Sequence, residues 1–241
     1  LGVYALALST DGKSLYVGGN FSSYQGEAAN YLAKIDSKTG ALDQTFTQTT
    51  GPDNPVNALA LTSSALYIGG TFTKYRGSTA NYLAKVGLTD GALDTTFTLS
   101  TGGADNVVNT LVVSSSALYV GGTFTTYRGT ASQRLAKVDL SSGNLDTTFT
   151  KTTGFSENNI TISALAVSST ALYVGGNFTV YRNNANNGTL PAERLAKVDL
   201  SLGNLDTTFT TNTGMESDVY ALSLLSSTSS SLHVGGKFTF Y

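Results

Sequence analysis

The sequence contains no cysteine, a single histidine, a single methionine and only 3 prolines among its 241 residues. Without cysteine there is no disulfide, no thiolate nucleophile and no Cys-ligated zinc. Scarce proline excludes a proline-rich linker or a collagen-like chain. Charged residues make up only 12%, about half of the usual share. The net charge of −2 offers nothing to a polyanion, so no nucleic-acid partner is expected. No apolar run approaches the ~20 residues that a membrane-spanning helix needs. No basic amphipathic segment suits a membrane surface either. No signal peptide is visible, and the chain opens at Leu1 directly inside a repeat. The expectation is a processed product or a fragment.

Polarity comes instead from Ser, Thr, Asn and 26 Gly, residues of strands and turns rather than helices. They are organised in a tandem repeat. Its marker is a Gly-Gly pair after a short apolar run, at Gly18-Gly19, Gly69-Gly70, Gly121-Gly122, Gly175-Gly176 and Gly235-Gly236. The first glycines are spaced by 51, 52, 54 and 60 residues. Each full repeat holds four short apolar segments: one like Val3–Leu8, the Gly-Gly segment, one like Leu32-Ala33-Lys34-Ile35-Asp36, and one like Leu42-Asp43-Gln44-Thr45-Phe46. Segments this short, β-branched and aromatic, separated by turn residues, read as strands. Four strands in about fifty residues is the pattern of a propeller blade.

The predicted fold is therefore an all-β propeller of four-stranded antiparallel blades. It comprises four full repeats, approximately 3–55, 56–106, 107–159 and 160–218, and an incomplete fifth, 219–241. The whole is expected to be one propeller domain or a fragment of one, with five or more blades in the intact protein. The missing strands of the fifth blade are expected from sequence beyond Tyr241 or from a partner chain, because an open edge invites pairing. Strict alternation in the first strand puts Val56, Ala58 and Ala60 on one face and Leu59 and Leu61 on the other. Lys34, Lys85, Lys137 and Lys197 recur in the third strand, and Asp43, Asp94, Asp146 and Asp206 in the fourth. One pair per blade is expected to join across the sheet as scaffold. Gly40, Gly91, Gly143 and Gly203 between those strands are expected at positive φ. Asp36, Asp139 and Asp199 ahead of them suit a capped turn, since Asp-Leu-Ser-Ser-Gly lacks the carboxylates of a calcium loop.

The repeat resembles the bacterial delta-60 type of β-propeller repeat and, more distantly, kelch repeats. The matching residues include Gly121, Gly122, Phe124, Leu135, Ala136, Lys137, Val138, Asp139, Gly143, Leu145, Asp146 and Phe149. Departures are Gly87 at the Asp position, Gln25 in place of Arg76, Arg128 and Arg182, and His233 in the Tyr slot. The resemblance implies a secreted or cell-surface location in a bacterium and supplies no catalytic residues.

No Gly-x-Ser-x-Gly elbow, phosphate loop or His-Glu-x-x-His motif occurs, and the lone His233 lacks a metal-binding companion. No catalytic residue, metal or cofactor is expected. In a repeat protein, function tends to sit where repeats differ. The largest irregularity is Arg182-Asn183-Asn184-Ala185-Asn186-Asn187-Gly188-Thr189-Leu190-Pro191, which lengthens the connection before the fourth repeat's third strand. Its amides can hydrogen-bond sugars or peptides, and long loops on rigid scaffolds often bind. Arg182, Asn183, Asn184, Asn186 and Asn187 are the candidate ligand-binding residues. The repeated Tyr-Arg step at Tyr75-Arg76, Tyr127-Arg128 and Tyr181-Arg182 is expected to make blade-to-blade contacts. The leading function is a noncatalytic extracellular scaffold for adhesion, or for glycan or protein binding. The alternatives are a glycan-active hydrolase or lyase with a central acidic site and a structural spacer in a larger surface protein.

Overall fold

A computed structural model describes residues 2–47, 51–98, 103–150, 154–155, 157–183, 188–211, 214–226 and 231–239. Strands dominate, and the only helices among the described residues are single turns of four or five residues. The chain is all-β. It forms two compact units, residues 1–111 with 141–143, and residues 112–140 with 144–241.

In the first unit, strands Gly2–Leu8, Ser14–Asn20 and Leu32–Asp36 form an antiparallel sheet in chain order. Val56–Leu61, Ala65–Gly70 and Leu83–Gly87 repeat that order. In the second unit, Ala117–Gly122 pairs with Leu135–Asp139. Ile162–Val167, Ala171–Gly176 and Leu195–Asp199 form a full sheet, and Val219–Leu224 pairs with Leu232–Gly236. A small hairpin links the second strand to the third in each full repeat. In the three-stranded sheets the Gly-Gly strand is central, and its apolar side chains are buried, with Leu66 and Ile68 in the first unit and Leu118 and Val120 in the second all at 0% exposure.

The fourth predicted strand is a departure. Leu42, Leu93, Leu145 and Leu205 each make one isolated bridge to the third strand. The chain then turns into a helical turn, as at Gln44–Thr47 and Thr147–Thr150. The cause is the Asp after that Leu. Asp43 Oδ1 accepts the N–H groups of Thr45 at 3.0 Å and Phe46 at 3.2 Å, which is an N-cap and starts a helix rather than extending a strand. Asp146 does the same for Thr148 and Phe149.

Strict alternation in the first strand also fails, and the reason is a β-bulge. The register slips between Val56 and Ala58, so Val56 faces Gly70 and Ala58 faces Gly69. The same slip occurs between Val3 and Ala5, Ile162 and Ala164, and Val219 and Ala221. One inserted residue brings Val56 to the face of Leu59. Both then pack on Gly18 of the preceding repeat, where a built Cβ would stand 2.7 Å from Val56 Cγ1 and 3.4 Å from Leu59 Cγ. The second glycine, Gly70, lies against the carbonyl of Pro55 at the bulge. The doublet therefore has two separate jobs: close approach of the next repeat and close approach of the bulged neighbour.

The turn before the fourth segment forms as expected. Gly40, Gly91, Gly143 and Gly203 have positive φ. Asp36 Oδ1 accepts the N–H groups of Lys38 and Thr39, and Asp199 caps Ser201 and Leu202 in the same way.

Candidate functional site

Each full repeat builds one quartet on its second, third and fourth segments. Tyr16 stands opposite Lys34 in the ladder, Lys34 Nζ lies 2.8 Å from Asp43 Oδ2, and the same ammonium sits 5.9 Å from the centre of the Phe46 ring. Tyr16 and Phe46 meet edge to face at 5.5 Å. The set recurs as Tyr67, Lys85, Asp94 and Phe97, then Tyr119, Lys137, Asp146 and Phe149, then Tyr173, Lys197, Asp206 and Phe209. The expected cross-sheet pair thus exists in all four.

Burial pushes the carboxyls of Asp43, Asp94 and Asp146 up, but hydrogen bonds from the paired Lys and from the capped N–H groups outweigh it and hold them below the usual range. At Asp206 the Lys197 hydrogen bond is the leading cause of the same depression, and Asp206 in turn raises Lys197. Burial drives the Tyr119 phenol up to about 12. Carboxylates shifted down and phenols shifted up are both moved away from neutral pH, the wrong direction for general acid–base work there. The quartet is scaffold: a charge-capped helical turn, an aromatic pair and a cation on one ring face.

The hairpin between the second and third strands is the part of the repeat that varies. In the first repeat, Tyr24 pairs with Glu27 across Gln25 and Gly26; in the second, Tyr75 pairs with Ser78 across Arg76 and Gly77. Gln25, Gly26, Arg76 and Gly77 all have positive φ, as a two-residue type I′ turn demands. The Tyr hydroxyls of Tyr24 and Tyr75 donate to the carbonyls of Gly40 and Gly91 at 2.8 and 2.7 Å. Arg76 folds back over the Tyr75 ring and donates through Nη2 to the carbonyls of Phe46 and Asp90, both at 2.8 Å. Since Phe46 belongs to the preceding repeat, the Tyr-Arg step does bridge repeats here.

The fourth repeat keeps the Tyr and changes the rest. Tyr181 still donates to the Gly203 carbonyl at 2.6 Å. But Val180–Asn183 and Gly188–Pro191 now form a four-pair ladder, with Arg182 opposite Thr189 and Asn183 opposite Gly188. The insertion lengthens the hairpin and moves the Arg from a turn into a strand, where it is exposed. Its N–H donates to the Gly154 carbonyl at 2.9 Å. The structure thus places Arg182 and Asn183 at consecutive register positions on one arm of the hairpin. Asn184, Asn186 and Asn187 lie outside the described residues.

Two sets of residues escaped the sequence reading. The linkers between repeats carry an acid that clamps the Gly-Gly-x-Phe-Thr turn. Asp53 accepts from Thr73 N–H, Thr73 Oγ1 and Lys74 N–H, and Glu157 accepts from Thr179 N–H, Thr179 Oγ1 and Val180 N–H. Glu216 binds the N–H and hydroxyl of Thr239. The signal was available, because an acid follows a buried apolar residue in these linkers: Pro52, Phe155, Met215. The second set is Tyr31, Tyr82, Arg134 and Arg194, each at positive φ just before the third strand. A non-glycine there costs about 1–3 kcal/mol. Arg134 donates to the Phe155 carbonyl at 2.9 Å and Arg194 to that of Met215 at 3.2 Å, tying each to the following linker. Nothing in residue type announces this position.

One shallow cleft of about 320 Å³ lies beside the fourth quartet, lined by Thr170, Lys197, Asp199, Asn204 and Asp206 among others. No group of three or more His, Cys, Asp or Glu side chains that could hold a metal occurs among the described residues. His233 is exposed on the strand Leu232–Gly236. Among the described residues no helix is long and apolar enough to cross a membrane.

Three segments, residues 10–46, 66–97 and 118–149, match the family model described as a domain of unknown function (DUF5122) beta-propeller. No curated protein matches the sequence. Among solved structures, U3-55K superposes with a TM-score of 0.58 at 12% identity, over 97% of this chain and 59% of its own. The RRP9 WD40 repeats give 0.57 at 12% identity, over 98% of this chain and 73% of theirs. The beta-propeller domain of Myceliophteria thermophila Cps50 (Swd1) gives 0.53 at 10% identity, over 93% and 59%. The chain spans about three fifths of the length of U3-55K and of Cps50. Such identities speak for the fold, and together with the family match they make this chain a β-propeller repeat protein.

Proposed function

We propose that this chain is a noncatalytic binding scaffold of a bacterial secreted or cell-surface protein of the delta-60 repeat type. Its ligand, a glycan or an extended peptide, is engaged by the fourth repeat's hairpin. One observation carries the reading. Arg76 is consumed by the scaffold, bound to two carbonyls, whereas the equivalent Arg182 is carried onto a strand, where it is exposed. An exposed planar cation suits recognition of a carboxylate or a polyol. The quartets support the same view, because their aspartates are held below the usual carboxylate range by hydrogen bonds from the paired Lys and the capped N–H groups.

The test is a glycan and peptide array probed with the chain and with a variant in which residues 183–189 are replaced by a single glycine. That change recreates the Tyr-Arg-Gly turn of the second and third repeats and leaves the quartet untouched. Binding by the parent chain that disappears in the variant supports the hairpin as the site. Binding that survives unchanged, or no binding by either, removes it.

A further inference from the structure

The insertion in the fourth repeat also changes what its hairpin offers along the outer edge. The strands Val180–Asn183 and Gly188–Pro191 pair through Val180–Pro191, Tyr181–Leu190, Arg182–Thr189 and Asn183–Gly188. The N–H of Val180 donates to Glu157 Oε2 at 3.0 Å, and that of Arg182 to the Gly154 carbonyl at 2.9 Å. Both point away from the partner strand. In an antiparallel ladder, hydrogen-bonded and non-hydrogen-bonded pairs alternate, and two residues directly opposite belong to the same kind of pair. The ladder bonds therefore fall to Tyr181–Leu190 and Asn183–Gly188. The backbone groups of Thr189 and Pro191 point outward, on the far edge of the hairpin.

Among the described residues, Val180–Asn183 is the only strand paired with Gly188–Pro191, and Gly188, Thr189 and Pro191 are exposed. The edge presents one donor, the Thr189 N–H, and two acceptors, the carbonyls of Thr189 and Pro191, since proline has no N–H. The hairpin of the second repeat has a single outward position. There the Lys74 N–H donates to Asp53, so Thr79 opposite it faces outward, and the strand is only Ser78–Thr79. One such residue cannot seat another strand. Two outward positions two residues apart form the row of unpaired groups that templates one. The insertion creates that row in the fourth repeat.

The edge also carries a charge preference. Arg182 and Thr189 stand directly opposite, so their side chains share one face of the hairpin. A residue added opposite Thr189 shares that face, two strand spacings (about 9–10 Å) from Arg182 across the short Thr189 side chain. Arg182 is exposed, and no acid among the described residues forms a salt bridge with it. A long acidic side chain on the added strand meets the guanidinium halfway. We infer that the edge Gly188–Pro191 takes an extended acidic peptide as a third strand, bonded to both backbone groups of Thr189, with a Glu opposite Thr189 whose carboxylate pairs with Arg182. This rests on the reading that the fourth repeat's hairpin binds a ligand, and it selects the peptide over the glycan.

The test titrates the 241-residue chain with end-capped peptides of the form Thr-Val-X-Val-Thr, where X is Glu, Gln or Lys, and follows amide hydrogen exchange at Thr189 by NMR. The Glu peptide is expected to bind tightest and the Lys peptide weakest, and the Glu peptide is expected to slow exchange of the Thr189 N–H. Thr189→Pro removes only an outward N–H, which an edge position tolerates, and should weaken the Glu peptide about tenfold. Arg182→Glu changes an exposed side chain and should invert the preference, so that the Lys peptide becomes the tighter; it keeps the test decisive should Thr189→Pro misfold by far-UV circular dichroism. Peptides that do not bind, that bind regardless of X, or that leave Thr189 exchange unchanged overturn the inference. So does Glu-peptide binding that a folded Thr189→Pro leaves intact. A glycan that binds the parent chain and is lost when residues 183–189 are replaced by one glycine, with no peptide bound, overturns this inference and keeps the hairpin as the site. No binding of either kind overturns both.

Discussion

The third and fourth repeats carry the same quartet in the same register, and only one of the two is covered. Tyr119 is 1% exposed and Phe149 is 0% exposed. Lys137 Nζ, besides its ion pair, donates to the Leu200 carbonyl of the following repeat at 2.9 Å. In the fourth repeat Tyr173 and Phe209 are only half-buried, and the Lys197–Asp206 pair borders the cleft. The difference teaches that the quartet is half of a structure. Its ion pair and aromatic edge are made within the repeat, but its dryness is supplied by the turn of the next one.

That comparison can be broken most forcefully at the phenylalanines. Phe149→Ala empties a fully buried site and is expected to cost about 3–5 kcal/mol. Phe209→Ala removes a ring that water already reaches in part, and should cost roughly half as much, since the loss scales with the apolar area that was buried. Denaturant titration of the two variants against the parent chain measures the gap, and equal losses would show that the cover from the next repeat adds nothing. The glycines sharpen the same contrast. Gly69→Ala forces a methyl onto Val108 and Leu111 and should cost about 1–3 kcal/mol as overpacking. Gly235→Ala meets a single methyl at ordinary contact distance and should stay within about 0.5 kcal/mol, as exposed changes do.

Much of this was legible in the sequence because the repeat supplies its own control. Four copies of a Lys followed nine residues later by an Asp identified the ion pair, and four glycines located the positive-φ turn. What misled was local context that spacing does not encode. Leu42-Asp43-Gln44-Thr45-Phe46 has the apolar ends of a strand, yet Asp43 caps the N–H groups that a strand would need for its ladder. The alternation of the strand Val56–Leu61 was read as unbroken, while the slip at Asn57 moves Val56 to the other face. A bulge leaves no mark in residue type when both faces are apolar. The candidate site was located by its irregularity, but the consequence, an Arg carried from turn to strand, required the register of the lengthened hairpin.

At the ion pairs the comparison turns on pH. Lys137→Met removes the pair with Asp146 and the bond to the Leu200 carbonyl together; a lost charged hydrogen bond costs about 1.5–3 kcal/mol. Lys197→Met, at the more open pair, should cost about 1 kcal/mol or less. Asp146 has a folded-state pKa below its ordinary value, because the Lys137 and backbone hydrogen bonds outweigh the opposing effect of burial. A carboxyl depressed on folding contributes stability that is present above its unfolded pKa, about 3.9, and that is lost as pH falls through the lower folded value. The parent chain should therefore lose thermal stability steeply on acidification below about pH 4. Asp146→Asn should start lower at neutral pH and fall less on acidification, because the titrating group is gone. Melting temperatures of the two across that range decide the matter. Parallel curves would mean that the Asp146 carboxyl does not couple to folding, and that the ion pair serves only to orient the capped turn beneath Phe149.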